Sequence, residues 1–202
     1  MFLCLISHFR ILDSCDSPLL RKMKRTVIIL LLLLAGLPLW AQEDEFCVPD
    51  SLIAKLKENR STNDARAESL VKVIEFYYHY SLDNNRDFFD NANSYIKELE
   101  MLAKDMNSRY WMAVSEYYWG LFALESYQYD EAIKRLNNAQ RIVETLRETD
   151  AVCLLLCGIY LTKSGCYIDC NMLPEAYQCN ESGLAIAEKN NLEDGRILLL
   201  GN

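Results

Sequence analysis

Cysteine supplies the densest candidate chemistry in the chain. Beyond residue 41 stand Cys47, Cys153, Cys157, Cys166, Cys170 and Cys179, and the intervals 153 to 157 and 166 to 170 each equal about one helical turn. In an oxidising compartment such thiols can pair, and Cys170 with Cys166 or Cys179 is the disulfide to test first. A metal site needs four converging ligands, and three intervening residues do not make a zinc-knuckle spacing, so no metal is expected. The third reading makes them small buried side chains where helices touch closely; it ranks first, the disulfide second and the metal last. Histidine offers less: the two in the chain are His8 and His79, and His79 reads as a surface or groove residue. Neither stands beside a Ser or Cys nucleophile motif, so no catalysis and no cofactor are expected. Tyr110, Trp111, Tyr117, Tyr118, Trp119, Tyr127 and Tyr129 form an aromatic cluster of the kind that anchors bound peptides. Packing between helices is the preferred account of the same stripe.

The elements that carry these residues are helices by their spacing. Ile133, Leu136, Ala139, Ile142, Val143 and Leu146 recur at helical intervals, as do Val114, Tyr117, Tyr118, Leu121 and Phe122 before them. The link between the two runs, Ser126 to Gln128, is short enough to require antiparallel neighbours. An earlier pair reads the same way: Leu70, Val71, Ile74, Tyr77, Tyr78 and Ser81, then, past Asp83-Asn84-Asn85, Phe88, Phe89, Ala92, Tyr95, Ile96, Leu99, Leu102, Ala103 and Met106. A later pair begins at Thr149-Asp150, either of which can cap a helix, and continues through Val152, Leu155, Leu156, Ile159 and Tyr160. Gly165-Cys166-Tyr167 is predicted to make its bend, followed by an insertion, Ile168 to Leu173, and a return helix opened by Pro174-Glu175-Ala176 and stopped by Asn190-Asn191. Leu52, Ile53 and Leu56, after Pro49-Asp50-Ser51, predict a short capping helix within a linker over 42–63.

The fold class expected is therefore all-α, built from antiparallel helical hairpins over residues 64–202. Phe89-Asp90-Asn91-Ala92 and Tyr129-Asp130-Glu131-Ala132 align at a period of 40, and Ala132 to Ala176 gives 44. Helix pairs at such a period stack as a solenoid, each hiding its open face against the next. Asp194 to Asn202, with Gly201 placed as Gly120 and Gly158 are, reads as a fourth first-helix, so a piece of a longer repeat protein is expected.

The N-terminal segment has the form of an export signal. Arg21, Lys22, Lys24 and Arg25 precede the apolar run Val27 to Leu39 and then Trp40-Ala41. That run falls short of the ~20 residues of a membrane span, so a peptide removed after Ala41 is preferred to a permanent N-terminal anchor. Residues 1–41 are read as leader and signal, with Met23 the expected true start. Removing them, with five basic and two acidic side chains, takes the formal charge from −8 by three units to −11. So acidic a chain argues against nucleic acid and against anionic membrane surfaces.

The hairpin unit resembles the tetratricopeptide repeat (TPR), in the α-α superhelix class. Gly120, Tyr129, Ala132, Leu136 and Ala139 match its pattern in the second hairpin, and Gly158, Gly165, Tyr167, Ala176 and Gly183 in the third. The repeat here is longer than the family's usual ~34 residues, which resembles the exported bacterial subgroup and the periplasmic sensory halves of signalling proteins. The resemblance implies a concave groove lined by first helices, at Val114, Tyr117, Leu121, Leu124, Leu155 and Ile159. It implies a non-catalytic, exported scaffold in the periplasm that binds a protein, a peptide or a downstream part of its own polypeptide. The rival expectation is a Cys-dependent redox or metal-binding helical module.

Overall fold

The computed structural model describes residues 48–61, 63–84 and 89–200, and all regular structure in them is helical. The elements are α1 (Asp50–Glu58), α2 (Asp64–Asn84), α3 (Phe89–Asp105), α4 (Arg109–Glu125), α5 (Tyr129–Val143), α6 (Asp150–Asp169), α7 (Leu173–Lys189) and α8 (Glu193–Leu200). The leader, the signal-like run, Cys47, Phe88 and Gly201 lie outside the described residues.

One local device ends four of these helices. Asn107, Tyr127, Asn171 and Asn191 each adopt a left-handed backbone, with φ of 50°, 58°, 57° and 54°. In every case the amide of the next residue reaches back to a carbonyl in the helix just ended: Ser108 to Ala103, Gln128 to Ala123, Met172 to Tyr167 and Leu192 to Ala187, at 2.7–2.9 Å. That bond closes a Schellman turn and satisfies carbonyls that would otherwise be orphaned at the helix end. Asn tolerates this conformation because its short side chain crowds the backbone little. Ser108 Oγ accepts from the Trp111 amide and Thr149 Oγ1 from Val152, which starts α4 and α6. Pro174 occupies the first turn of α7, where an amide would have no partner.

The third hairpin departs from the sequence expectation. Gly165-Cys166-Tyr167 is not a bend: α6 runs through it to Asp169, and the turn falls at Cys170 to Met172. Ile168 to Leu173 is thus no insertion but the end of a first helix of 20 residues, against 17 in α4, together with its turn and the first residue of α7. Leu173, not Tyr167, stands in register with Tyr129, and Ser164, not Gly158, with Gly120. Geometry agrees. A Cβ on Gly120 would lie 2.7 Å from Leu136 Cγ and 3.3 Å from the Ala132 carbonyl, while Ser164, fully buried, donates to the Ala176 carbonyl at 3.2 Å. Each is a close approach of the two helices in its hairpin. Gly158 and Gly165 serve a different contact, between successive first helices: their missing side chains leave room for Tyr117 and Leu124 of α4, which a Cβ on either glycine would approach to 3.3 Å. Both pairs are spaced by seven residues, so two knobs of one helix sit over two gaps in the next.

Ala132, Leu136, Ala139 and Val143 form the buried stripe of α5, and with Ala113, Ala123, Ile159 and Cys166 they make one core between the second and third hairpins. Cys153, Cys157, Ala187, Leu192 and Leu199 make another, where α8 closes on α6 and α7. Consecutive helices pack on one another from α1 to α8, and α4 also touches α6 directly. By length and composition α6 is apolar enough to cross a membrane. It contacts α4, α5, α7 and α8, and those neighbours account for apolar positions all round it. In the first hairpin, Ala67, Leu70 and Ile74 of α2 are buried, as are Ala92, Ile96 and Leu99 of α3, and Tyr77 stacks on Tyr95 with centroids 5.8 Å apart.

Candidate functional groove

The first helices α2, α4 and α6 line two neighbouring hollows. One, of about 400 Å³, is bounded by Glu68, Val71, Lys72 and Glu75 of α2, by Tyr110, Trp111, Val114, Tyr117 and Tyr118 of α4, and by Ala151, Leu154 and Leu155 of α6. The other, of about 480 Å³, is bounded by Glu75, Tyr78 and His79, by Tyr117, Tyr118, Leu121, Leu124 and Glu125, and by Leu161, Thr162 and Gly165. Glu75, Tyr117 and Tyr118 belong to both, so the hollows join into one groove. Residue numbers rise along it on all three helices, so the three run parallel.

Three cross-helix hydrogen bonds set the distance between α2 and α4. Trp111 Nε1 donates to Asp64 Oδ1 at 2.6 Å, Tyr118 Oη to Glu75 Oε1 at 2.9 Å and Tyr78 Oη to Glu125 Oε1 at 3.0 Å. Tyr78 also packs its ring on Phe122, with centroids 5.8 Å apart. Burial, and then the adjacent carboxylates, push the phenols of Tyr78 and Tyr118 above the ordinary range. Burial raises Tyr117 as well, with the neighbouring Thr162 hydroxyl opposing it. These phenols are therefore neutral donors at any physiological pH.

Of the six groove residues implied by the resemblance, Val114, Tyr117, Leu121, Leu124 and Leu155 line this groove. Ile159 does not. It is fully buried in the core against α5: at 3.6 residues per turn it lies about 40° past Leu155, on the side away from Ala151, Leu154, Leu161 and Thr162, which line the groove. The aromatic cluster divides. Tyr110 and Tyr117 face the groove; Trp111 and Tyr118, each less than a tenth exposed, use their polar ends to tie α4 to α2. Trp119 donates to Glu100 at 3.3 Å and lies under the Arg135 guanidinium, 5.8 Å from its ring centre, binding α3, α4 and α5 together. Tyr127 is 77% exposed, and desolvation, then the neighbouring Asp169 carboxylate, raises the Tyr129 phenol.

Comparison with protein-family models, curated proteins and solved structures yields no match to this chain. The groove has to be read from its own residues.

The cysteines are not brought together. Cys153, Cys157, Cys166, Cys170 and Cys179 are all free thiols, so no disulfide joins Cys166, Cys170 and Cys179. Four are buried at tight contacts: Cys157 Sγ points at the Gly183 carbonyl, 3.6 Å away, and lies 3.3 Å from where a Cβ on Gly195 would sit. Burial pushes the Cys166 thiol up to about 12, far from the thiolate that redox or metal chemistry requires. Cys170 alone of the five is exposed. Among the described residues no three His, Cys, Asp or Glu side chains converge.

Sequence reasoning missed the polar side of the groove. Glu68, Glu75 and Glu125 line it, yet none of them forms an ion pair with a described residue. Glu68 and Glu75 are seven residues apart on one helix, a spacing visible in the sequence had charged positions been phased together with apolar ones.

Proposed function

We propose that the chain is a non-catalytic, exported scaffold of TPR-like hairpins, an α-α solenoid that holds a segment of another protein, or a peptide, in the groove of α2, α4 and α6. The observation that carries this reading is the groove itself: parallel first helices present an apolar floor, with Leu121 and Leu155 flanking Tyr117, under a polar rim. Side-chain-sized hollows with aromatic walls and a few placed polar groups are what a peptide anchors in. Export rests on the basic cluster and apolar run of residues 21–39. Buried, high-pKa thiols favour packing over a Cys-dependent activity.

Selection of displayed peptides on the full chain tests the reading. Ala151 is exposed at the mouth of the first hollow, and Ala151→Trp fills that space without touching the core. Selected peptides should lose at least tenfold in affinity for this variant. Peptides that bind the filled and open grooves equally, or a failure to enrich any, would refute it.

A further inference from the structure

The groove has a charge as well as a shape, and that charge names a partner. Glu68, Glu75 and Glu125 line it, together with Lys72 and the exposed imidazole of His79. Glu75 accepts from the buried Tyr118 phenol and Glu125 from the half-buried Tyr78 phenol, each through Oε1. A carboxylate carries about four lone-pair sites on two oxygens, so each keeps capacity to accept from a ligand. Unpaired carboxylates against a low-dielectric floor repel an anionic segment and attract a cationic one.

Their spacing sets a ruler. Seven residues of α2 separate Glu68 from Glu75, about 10 Å at 1.5 Å per residue. Glu125 takes its hydrogen bond from Tyr78, the next turn of α2 beyond Glu75, so acid continues along the second hollow. An extended peptide covers about 10 Å in three residues. We propose that the occupant is a basic peptide segment, with Lys or Arg at every third position set against these carboxylates and apolar side chains between them seated on Val114, Leu121 and Leu155. This rests on the groove reading above and adds the chemistry of the partner.

The test uses three fluorescent peptides built on Lys-Leu-Ala, Gln-Leu-Ala and Glu-Leu-Ala repeats of equal length, titrated against the full chain by anisotropy. The lysine peptide should bind at least tenfold tighter than the glutamine one, and the glutamate one weakest. Glu75→Gln and Glu125→Gln should each weaken the lysine peptide several-fold and flatten its salt dependence. Glutamine keeps an oxygen to accept from Tyr118 or Tyr78, so these variants preserve the fold, as unchanged circular dichroism will show. Lysine-peptide binding that ignores both substitutions overturns the proposal, because the charge responsible then lies elsewhere. Equal binding of all three peptides, lost in Ala151→Trp, overturns the basic partner but keeps the groove. Binding of none overturns both.

Discussion

Three glycine-to-alanine substitutions separate the two kinds of close approach in the fold. At Gly120 a new Cβ would stand 2.7 Å from Leu136 Cγ and 2.9 Å from its Cδ2, with the Ala132 carbonyl behind at 3.3 Å. Optimal carbon contacts lie near 3.5–4.0 Å, so Leu136 must retreat by close to 1 Å. It is fully buried among Ala132, Ala139 and Ile159 and has nowhere to go. Overpacking of this kind costs about 1–3 kcal/mol, against a gain of about 1 kcal/mol from replacing Gly with Ala inside a helix; the net is a loss of about 1 kcal/mol. At Gly158 the neighbour is the Tyr117 hydroxyl at 3.3 Å, the far end of a side chain that borders an open groove. A small shift there cancels most of the helix gain, and stability should stay within about 0.5 kcal/mol of the parent. At Gly165 one atom, Leu124 Cδ2, lies within reach at 3.3 Å, and Ala should stabilise by about 0.5–1 kcal/mol. Urea unfolding of the full chain, followed by circular dichroism, reads the order directly. If Gly158→Ala proves as damaging as Gly120→Ala, the two glycines are equivalent after all and the register assigned to the third hairpin is wrong.

Tyr127 occupies the left-handed position that Asn fills in three sister turns; Tyr127→Asn should raise stability by about 0.5–1 kcal/mol in the same assay, and a loss of that size would show that its ring contact with Tyr129 outweighs the backbone strain. Because Tyr78 and Tyr118 hold their protons more tightly folded than unfolded, their contribution is complete below the ordinary phenol value near 10 and is lost as pH rises above it. Each should remove up to about 1.4 kcal/mol per pH unit there, and stability measured at pH 9, 10 and 11 that stays flat refutes the buried donor geometry. Thiol labelling resolved by peptide mapping should modify Cys170 rapidly at neutral pH while Cys153, Cys157, Cys166 and Cys179 react only on unfolding; rapid labelling of Cys166 contradicts its burial.

The second hairpin was legible because every level of the sequence agreed on it. A helical apolar stripe, a three-residue link at Ser126 to Gln128 and small residues at Gly120, Ala132 and Ala139 all fix the same register, and the structure places α4, the turn and α5 there. The third hairpin offered a conflict instead. Gly165 resembles a break when local propensity alone is weighed, since Gly costs a helix about 1 kcal/mol relative to Ala. What keeps the helix going is a contact more than forty residues away in sequence, Leu124 lodged over the bare backbone, and no local window contains it. A local signal was nevertheless present: Asn107 and Asn191 mark helix ends two residues ahead of the next start, and Asn171, two before Leu173-Pro174, marks the third in the same way.

The groove divides along the same line. Its apolar floor follows from helix phase, which is why five of six lining positions could be named and why the sixth, Ile159, about 40° past Leu155, turned into the core instead. Its acidic rim does not follow from phase. A glutamate on a helix reads as a solvated face until tertiary structure gives it a partner, and the partners here, Tyr118 for Glu75 and Tyr78 for Glu125, are 43 and 47 residues distant in the chain. Those two bonds do more than join helices. By occupying one oxygen of each carboxylate with a neutral donor, they hold the charge in place at the groove without cancelling it, which an internal Lys or Arg at either tyrosine would have done. Lysine at position 118 or 78 is accordingly the substitution that would keep a bond between α2 and α4 while switching off the field a basic ligand feels.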